Sequence, residues 1–169
     1  MKVLVTGGAG FIGANLVRCL LSSDEVAGVC VLDDLSTGSL SNLDGPSARF
    51  VEGSVLDPTV LDELVPWADA VVHLAAIPSV PRSLHDPMRS HEVNSTGTLQ
   101  VLEAARRAGG RHVLLASSSS VYGSNPELPK HEGLRPTPMS PYAASKLAAE
   151  SYLLAYAACF ALDVLAFRF

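Results

Sequence analysis

Short apolar runs alternate along the chain with longer stretches in which apolar residues return at helical spacing. The runs predict strands at Lys2–Thr6, Gly28–Leu32, Ala48–Val51, Ala70–His73, Arg111–Ala116 and Asp163–Phe169. The longer stretches predict helices at Phe11–Leu21, Thr59–Val65, Pro87–Ala108 and Pro141–Ala161. Val3-Leu4-Val5 shows no polar alternation, as expected of a strand covered on both faces. Strands separated by helices require crossovers, and crossovers give parallel pairing. Right-handed crossovers then wind the sheet into a doubly wound α/β fold with helices on both faces. The Pro-rich and polar stretch Ser124–Ser140 reads as a surface loop. The last run, Asp163 to Phe169, reads as a sixth strand that stops without a turn or cap, so residues 1–169 are expected to be one domain cut short there.

Behind the first strand comes Thr6-Gly-Gly-Ala-Gly-Phe-Ile-Gly13, and Asp33 follows twenty residues beyond its last glycine. A buried strand that ends in a glycine turn and opens a helix offers free N–H groups and the positive end of the helix dipole to a pyrophosphate. Gly7, Gly10 and Gly13 let the backbone approach, and an acid at this distance accepts from the adenosine ribose hydroxyls. With the strand before it and the helix after it, the pattern specifies a dinucleotide-binding Rossmann fold. A 2′-phosphate would face both Asp33 and Asp34, and no Lys or Arg lies between Arg18 and Arg49 to neutralise it. NAD is therefore expected rather than NADP. Leu35, Ser36, Thr37 and Gly38 complete the adenosine loop.

A second constellation is Tyr142-Ala-Ala-Ser-Lys146. Positions i and i+4 share a helix face, so phenol and ammonium can enter one cleft. A neighbouring cation favours the phenolate, which suits the tyrosine to acid and base work. Ser140 as N-cap and Pro141 as first helical residue would set Tyr142 in the first turn. Ser117-Ser-Ser-Ser120 closes the fifth strand and could supply a hydroxyl to the same reaction. His73 ends an apolar strand and reads as a satisfied core histidine.

Composition narrows the partners. With 48% hydrophobic residues the chain can fill a core on both sides of a sheet, and its net charge of −5 with scattered arginines makes nucleic acid an unexpected partner. Cys19, Cys30 and Cys159 are too few and too far apart for a disulfide framework or a metal cluster, which suggests a reducing, cytoplasmic setting. No signal peptide or membrane span is read from the sequence.

These residues together resemble the extended short-chain dehydrogenase/reductase family, and within it the nucleotide-sugar epimerases and dehydratases. The resemblance runs through His73-Leu-Ala-Ala76, Ser79-Val-Pro-Arg-Ser83, Asp86-Pro87, Val93-Asn94, Gly97-Thr98, Ser117–Gly123, Leu128-Pro-Lys with Glu132, and Pro138 to Lys146. It implies that Gly7, Gly10, Phe11, Ile12 and Gly13 surround the pyrophosphate, that Leu74, Ala75 and Ala76 pass beneath the cofactor, and that Asn94 orders the site. By position it makes Ser118 the catalytic hydroxyl, Tyr142 the base, and Lys146 the group that tunes Tyr142 and binds the nicotinamide ribose. Ser54 and Val55 fall at the adenine, although the family often has Asp in place of Ser54. Ser79, Val80, Arg82, Ser118, Ser119 and Tyr142 fall toward the substrate, with Arg82 on a loop. The 4,6-dehydratases carry Thr-Asp-Glu where this chain has Ser118-Ser119-Ser120, and serine supplies neither the acid nor the base that a dehydration needs. The reading is thus an NAD-dependent 4-epimerase of nucleotide-linked hexoses, with a C-terminal substrate lobe beyond this chain and a homodimer formed through the two long helices. The alternatives are a 4,6-dehydratase or reductase of the same family, or a non-catalytic NAD-binding scaffold.

Overall fold

The structure, a computed structural model, describes residues 1–45 and 48–169. Six strands form one parallel sheet: β1 (Lys2–Thr6), β2 (Gly28–Asp33), β3 (Arg49–Glu52), β4 (Ala70–His73), β5 (His112–Ser117) and β6 (Val164–Arg168), in the order β3-β2-β1-β4-β5-β6. This is the doubly wound order, with its reversal between β1 and β4, and ligands bind such sheets at the carboxyl ends beside that point. Registers such as Val3↔Val29 and Leu4↔Val71 bring those ends level.

Both faces of the central strands are apolar, with a different partner on each. Val3, Val5, Val29 and Val31 pack with Val17 and Leu20 of α1 (Phe11–Leu21). Leu4, Cys30, Leu32, Val71, Val113 and Leu115 pack on the opposite face against three helices. These are α2 (Pro58–Leu64), the helix around Val101 and Leu102, and α6 (Pro141–Phe160), which contributes Ala149, Leu153 and Tyr156. The period-2 alternation of strand side chains accounts for the split.

The expected strands and helices are all present, with ends shifted by a residue or so. The expected helix Pro87–Ala108 is built differently. It comprises α4 (Pro87–His91), a π turn at Glu92–Thr96 and α5 (Gly97–Arg107). The Thr98 hydroxyl donates to the Asn94 carbonyl at 2.6 Å. A side-chain donor inserted into the backbone ladder favours such a wider turn. The segment carrying Arg82, expected as loop, is the short helix α3 (Val80–His85), started by Ser79 and Pro81. Ser124–Ser140 holds no regular helix or strand, as expected.

Candidate active site

The carboxyl ends of the strands open onto a cleft of about 620 Å³. Asp33, Asp34, Ser36, Thr37, Gly53 and Val55 line it on the β2 and β3 side. Gly7, Gly10, Phe11, Ile12, Gly13, Leu74, Ala75 and Ala76 form its middle, and Arg82, Ser117, Ser118, Tyr142 and Lys146 line it toward β5.

In the middle, backbone proximity decides which residues are possible. Gly7 has φ +72°, and a Cβ there would sit 2.6 Å from the Ala75 nitrogen; a Cβ on Gly13 would sit 2.3 Å from the Gly7 oxygen. Only glycine closes this turn without moving the loop after β4. Gly10 is the N-cap of α1, and no side chain caps or neutralises the first turn. Its free N–H groups therefore remain for an anion.

At the β2 end, Asp33 is 8% exposed. Its Oδ2 accepts from the Ala9 N–H at 2.9 Å and its Oδ1 from the Leu35 N–H at 2.9 Å. Each oxygen has lone pairs left for a ligand. The carboxylate thus fastens the glycine turn to the adenosine loop while facing the cleft. Leu35 adopts φ 57° within that loop, and Gly38 packs against Ala9. Neither lines the cleft. Ser54 turns its hydroxyl to the Leu56 N–H, and Gly53 and Val55 line the cleft on either side of it.

At the β5 end, the Ser140 hydroxyl accepts from the Ala143 N–H at 3.1 Å and Pro141 starts α6, so the cap stands as expected and sets Tyr142 in the first turn. Lys146 is 4% exposed and donates from Nζ to the Ala116 carbonyl at 3.0 Å. Burial pulls its pKa down to about 8. Two of its three donors remain for other partners. Ser118, at 8% exposure, accepts from the Ser120 N–H at 3.1 Å and keeps its own hydroxyl proton to donate. Ser119 is exposed and outside the cleft.

One turn along α6, Glu150 is buried and accepts from the Ser117 hydroxyl at 2.8 Å. Arg168 of β6 donates to both Glu150 oxygens, and its guanidinium lies 4.9 Å from the centre of the Tyr122 ring. Burial works against the Glu150 carboxylate, but the hydrogen bonds from Arg168 and Ser117 outweigh it and hold the group below its usual range. Lys146 and Glu150 together grip Ala116 and Ser117, the residues just before Ser118.

His73 lies beneath the site. The Thr98 hydroxyl spends its proton on Asn94, so it can only accept from His73 Nε2–H at 3.0 Å; Nδ1 is then the acceptor for the Thr6 hydroxyl at 2.7 Å. Burial, with Lys146 adding to it, pushes the imidazole pKa down to about 3. His73 is a neutral structural bridge, as its place on the strand suggested. Asn94 accepts from the Ile77 N–H at 2.7 Å and donates to the Ser145 hydroxyl at 3.0 Å. It ties the loop after β4 to α6 and orders the cleft from behind. Ser79 caps α3 with φ 97°, a costly conformation for a residue with a Cβ, and Val80 begins the helix. Of Ser79, Val80 and Arg82, only Arg82 reaches the cleft lining.

Residues 3–169 match the NAD dependent epimerase/dehydratase family. The chain belongs to that family. It is 44% identical over 169 residues to a UDP-glucose 4-epimerase of Mycolicibacterium smegmatis, covering 96% of this chain and 53% of the relative. A dTDP-glucose 4,6-dehydratase of Streptomyces niveus is 38% identical, with 99% of this chain and 53% of the relative covered. The crystal structure of UDP-glucose 4-epimerase from Brucella ovis in complex with NAD superimposes with a TM-score of 0.93 at 37% identity, over 99% of this chain and 51% of that one. The chain thus spans about half the length of the relatives it matches.

The epimerase/dehydratase family is NAD-dependent, and this chain's residues fit that cofactor. The uncapped start of α1 and the glycine turn that a Cβ would obstruct suit its pyrophosphate, and Asp33 suits its adenosine ribose. Tyr142 and Lys146 line the opposite, β5 end of the same cleft. Sequence reading missed Leu32, Gly53, Ile77, Pro78, Val93, Ala116 and Phe169 in the lining. It also missed the Glu150 and Arg168 support, although Glu150 at i+4 from Lys146 shares that residue's helix face. Among the described residues, no cluster of three or more His, Cys, Asp or Glu could hold a metal, and no helix is long and apolar enough to cross a membrane.

Proposed function

We propose that this chain is the NAD-binding half of a 4-epimerase acting on nucleotide-linked hexoses, with UDP-sugars as its substrates. The observation that carries the reading is the chemistry of the β5 end. Tyr142, Lys146 and Ser118 line it together, and among the described residues the carboxylates lining the cleft are Asp33 and Asp34, both at the β2 end. Loss of water from the sugar would need an acid beside Ser118, where Ser119 and Ser120 stand instead.

NAD, which the start of α1 and Asp33 would hold, would supply a hydride acceptor at sugar C4 able to return the hydride to the other face. Tyr142 takes the proton of the 4-hydroxyl as C4 becomes a ketone, then returns it when the ketone is reduced. Ser118 keeps its proton and donates a hydrogen bond to the sugar oxygen beside Tyr142. Lys146, held at the Ala116 carbonyl and on the same helix face as Tyr142, keeps two donors for the phenol and the ribose. Substrate and product differ only in configuration at C4.

The proposal includes a homodimer formed through the segment from α4 to α5 and through α6, on which Met88, Tyr152 and Leu154 are exposed. It also includes a cytoplasmic setting, in keeping with three free thiols. Sedimentation of the full-length protein at micromolar concentration tests the dimer, and a monomer would contradict it.

The catalytic assignment is tested by incubating the full-length protein with UDP-galactose and resolving the products. Tyr142→Phe is expected to lower kcat by roughly 10²- to 10⁴-fold while NAD stays bound. Unchanged turnover in Tyr142→Phe would return the chain to the rank of an NAD-binding scaffold.

A further inference from the structure

The fold brings a cation to the adenosine loop from a distant part of the chain. Between Arg18 and Arg49 the sequence holds no Lys or Arg, yet Arg89 of α4 places its Nη2 4.0 Å from Asp34 Oδ2. Its Nη1 donates to Glu92 Oε2 at 3.1 Å. Asp34 lines the cleft next to Asp33, whose carboxylate occupies the place that reads the ribose hydroxyls. In dinucleotide folds an arginine near that acid is what accommodates a 2′-phosphate. This chain has such an arginine and keeps it engaged.

We propose that Arg89 decides how the site treats the adenosine 2′ position: paired with Asp34 and Glu92 it leaves the site selective for a free 2′-hydroxyl, and released from them it accepts a 2′-phosphate. The proposal rests on the NAD-dependence of the family and adds the residue that sets the discrimination. Two carboxylates, Asp34 and Glu92, engage the one guanidinium, and Asp33 stands next to Asp34 in the lining, so a phosphate entering there meets net negative charge. Removing the charge of Asp34 and Glu92 leaves Asp33 balanced against an arginine with a free planar fork. That fork matches phosphate oxygens in pairs.

The geometry also makes the switch accessible. The Arg89 side chain is 40% exposed and that of Asp34 31%, so neither is locked in the core. The Arg89 backbone is fixed, because its N–H donates to the Asp86 carboxylate at 2.9 Å in the first turn of α4. Exposed pairs of this kind add little to stability, so neutralising them spares the fold. Arg82, one helix earlier, also lines the cleft.

The test compares dissociation constants for NAD and NADP, by calorimetry at low ionic strength, on the full-length protein freed of bound dinucleotide. Asp34→Asn with Glu92→Gln is expected to improve NADP relative to NAD by about tenfold or more. Adding Arg89→Ala is expected to erase the gain, and adding Arg107→Ala, which removes a surface arginine outside the cleft lining, to leave it. Normal NAD binding with no gain for NADP overturns the proposal alone, as does a gain that survives Arg89→Ala. If the unaltered protein fails to bind NAD, the cofactor reading falls and takes the proposal with it.

Discussion

At the β5 end of the cleft the charged side chains Lys146, Glu150 and Arg168 are buried or nearly so, and each is held by hydrogen bonds to fixed partners. At the β2 end, Asp34 and Arg89 face each other across 4.0 Å with much of each side chain in solvent. The difference fits the role proposed for each end. Proton transfer at Tyr142 needs its neighbours placed to within a fraction of an ångström, which buried pairs with locked geometry provide. Selecting a cofactor needs only a charge balance at the ribose, and an exposed pair supplies that with little effect on the fold.

The largest effect should come from breaking the buried set. Glu150→Ala strands Arg168 beside Tyr122 and leaves the Ser117 hydroxyl without its acceptor, which is expected to cost about 3–5 kcal/mol in urea denaturation. Asp34→Ala at the other end is expected to change stability by about 0.5 kcal/mol or less. Similar losses at the two sites would erase the contrast.

Acid should act on the floor of the site next. The folded pKa of His73 lies at about 3, below its unfolded value of 6.5, so the unfolded chain binds more protons between these limits. Stability is therefore complete above pH 6.5 and falls as pH drops toward 3, by about 3 kcal/mol over the first two units. Thermal melts at stepped pH measure this slope, and His73→Asn should flatten it.

At Lys146 the charge works against the fold. Its folded pKa of about 8 lies below the ordinary 10.5, so the unfolded chain holds the proton more strongly and stability rises with pH from about 8 to 10.5. Lys146→Met should remove that dependence and stabilise the protein at neutral pH by up to about 3 kcal/mol, while abolishing turnover. A destabilised Met variant would mean that the Ala116 contact outweighs the burial of charge.

What could be read from sequence was local. The glycine turn between β1 and α1 announces itself within a dozen residues, and Asp33 follows at a set distance. Tyr142 and Lys146 share a helix face by simple periodicity, and Ser140-Pro141 marks where that helix begins. The missed features are contacts between distant elements. Ser117 and Glu150 are 33 residues apart, Glu150 and Arg168 are 18 apart, and Arg89 reaches Asp34 from another crossover unit. The π turn at Glu92–Thr96 was hidden for a similar reason. Its apolar spacing is helical, and the widening depends on where the hydroxyl of Thr98 and the amide of Asn94 find partners.

The central claim is that the β5 end inverts a sugar carbinol with Tyr142 as its only proton-transferring base, and its most direct test is turnover of UDP-galactose by the full-length protein in deuterium oxide. The account predicts UDP-glucose that carries no solvent deuterium at C4, because the hydride that leaves is the hydride that returns. A 4-keto-6-deoxy product, or deuterium at C5, would show that a carboxyl group outside this constellation drives elimination and would contradict the account.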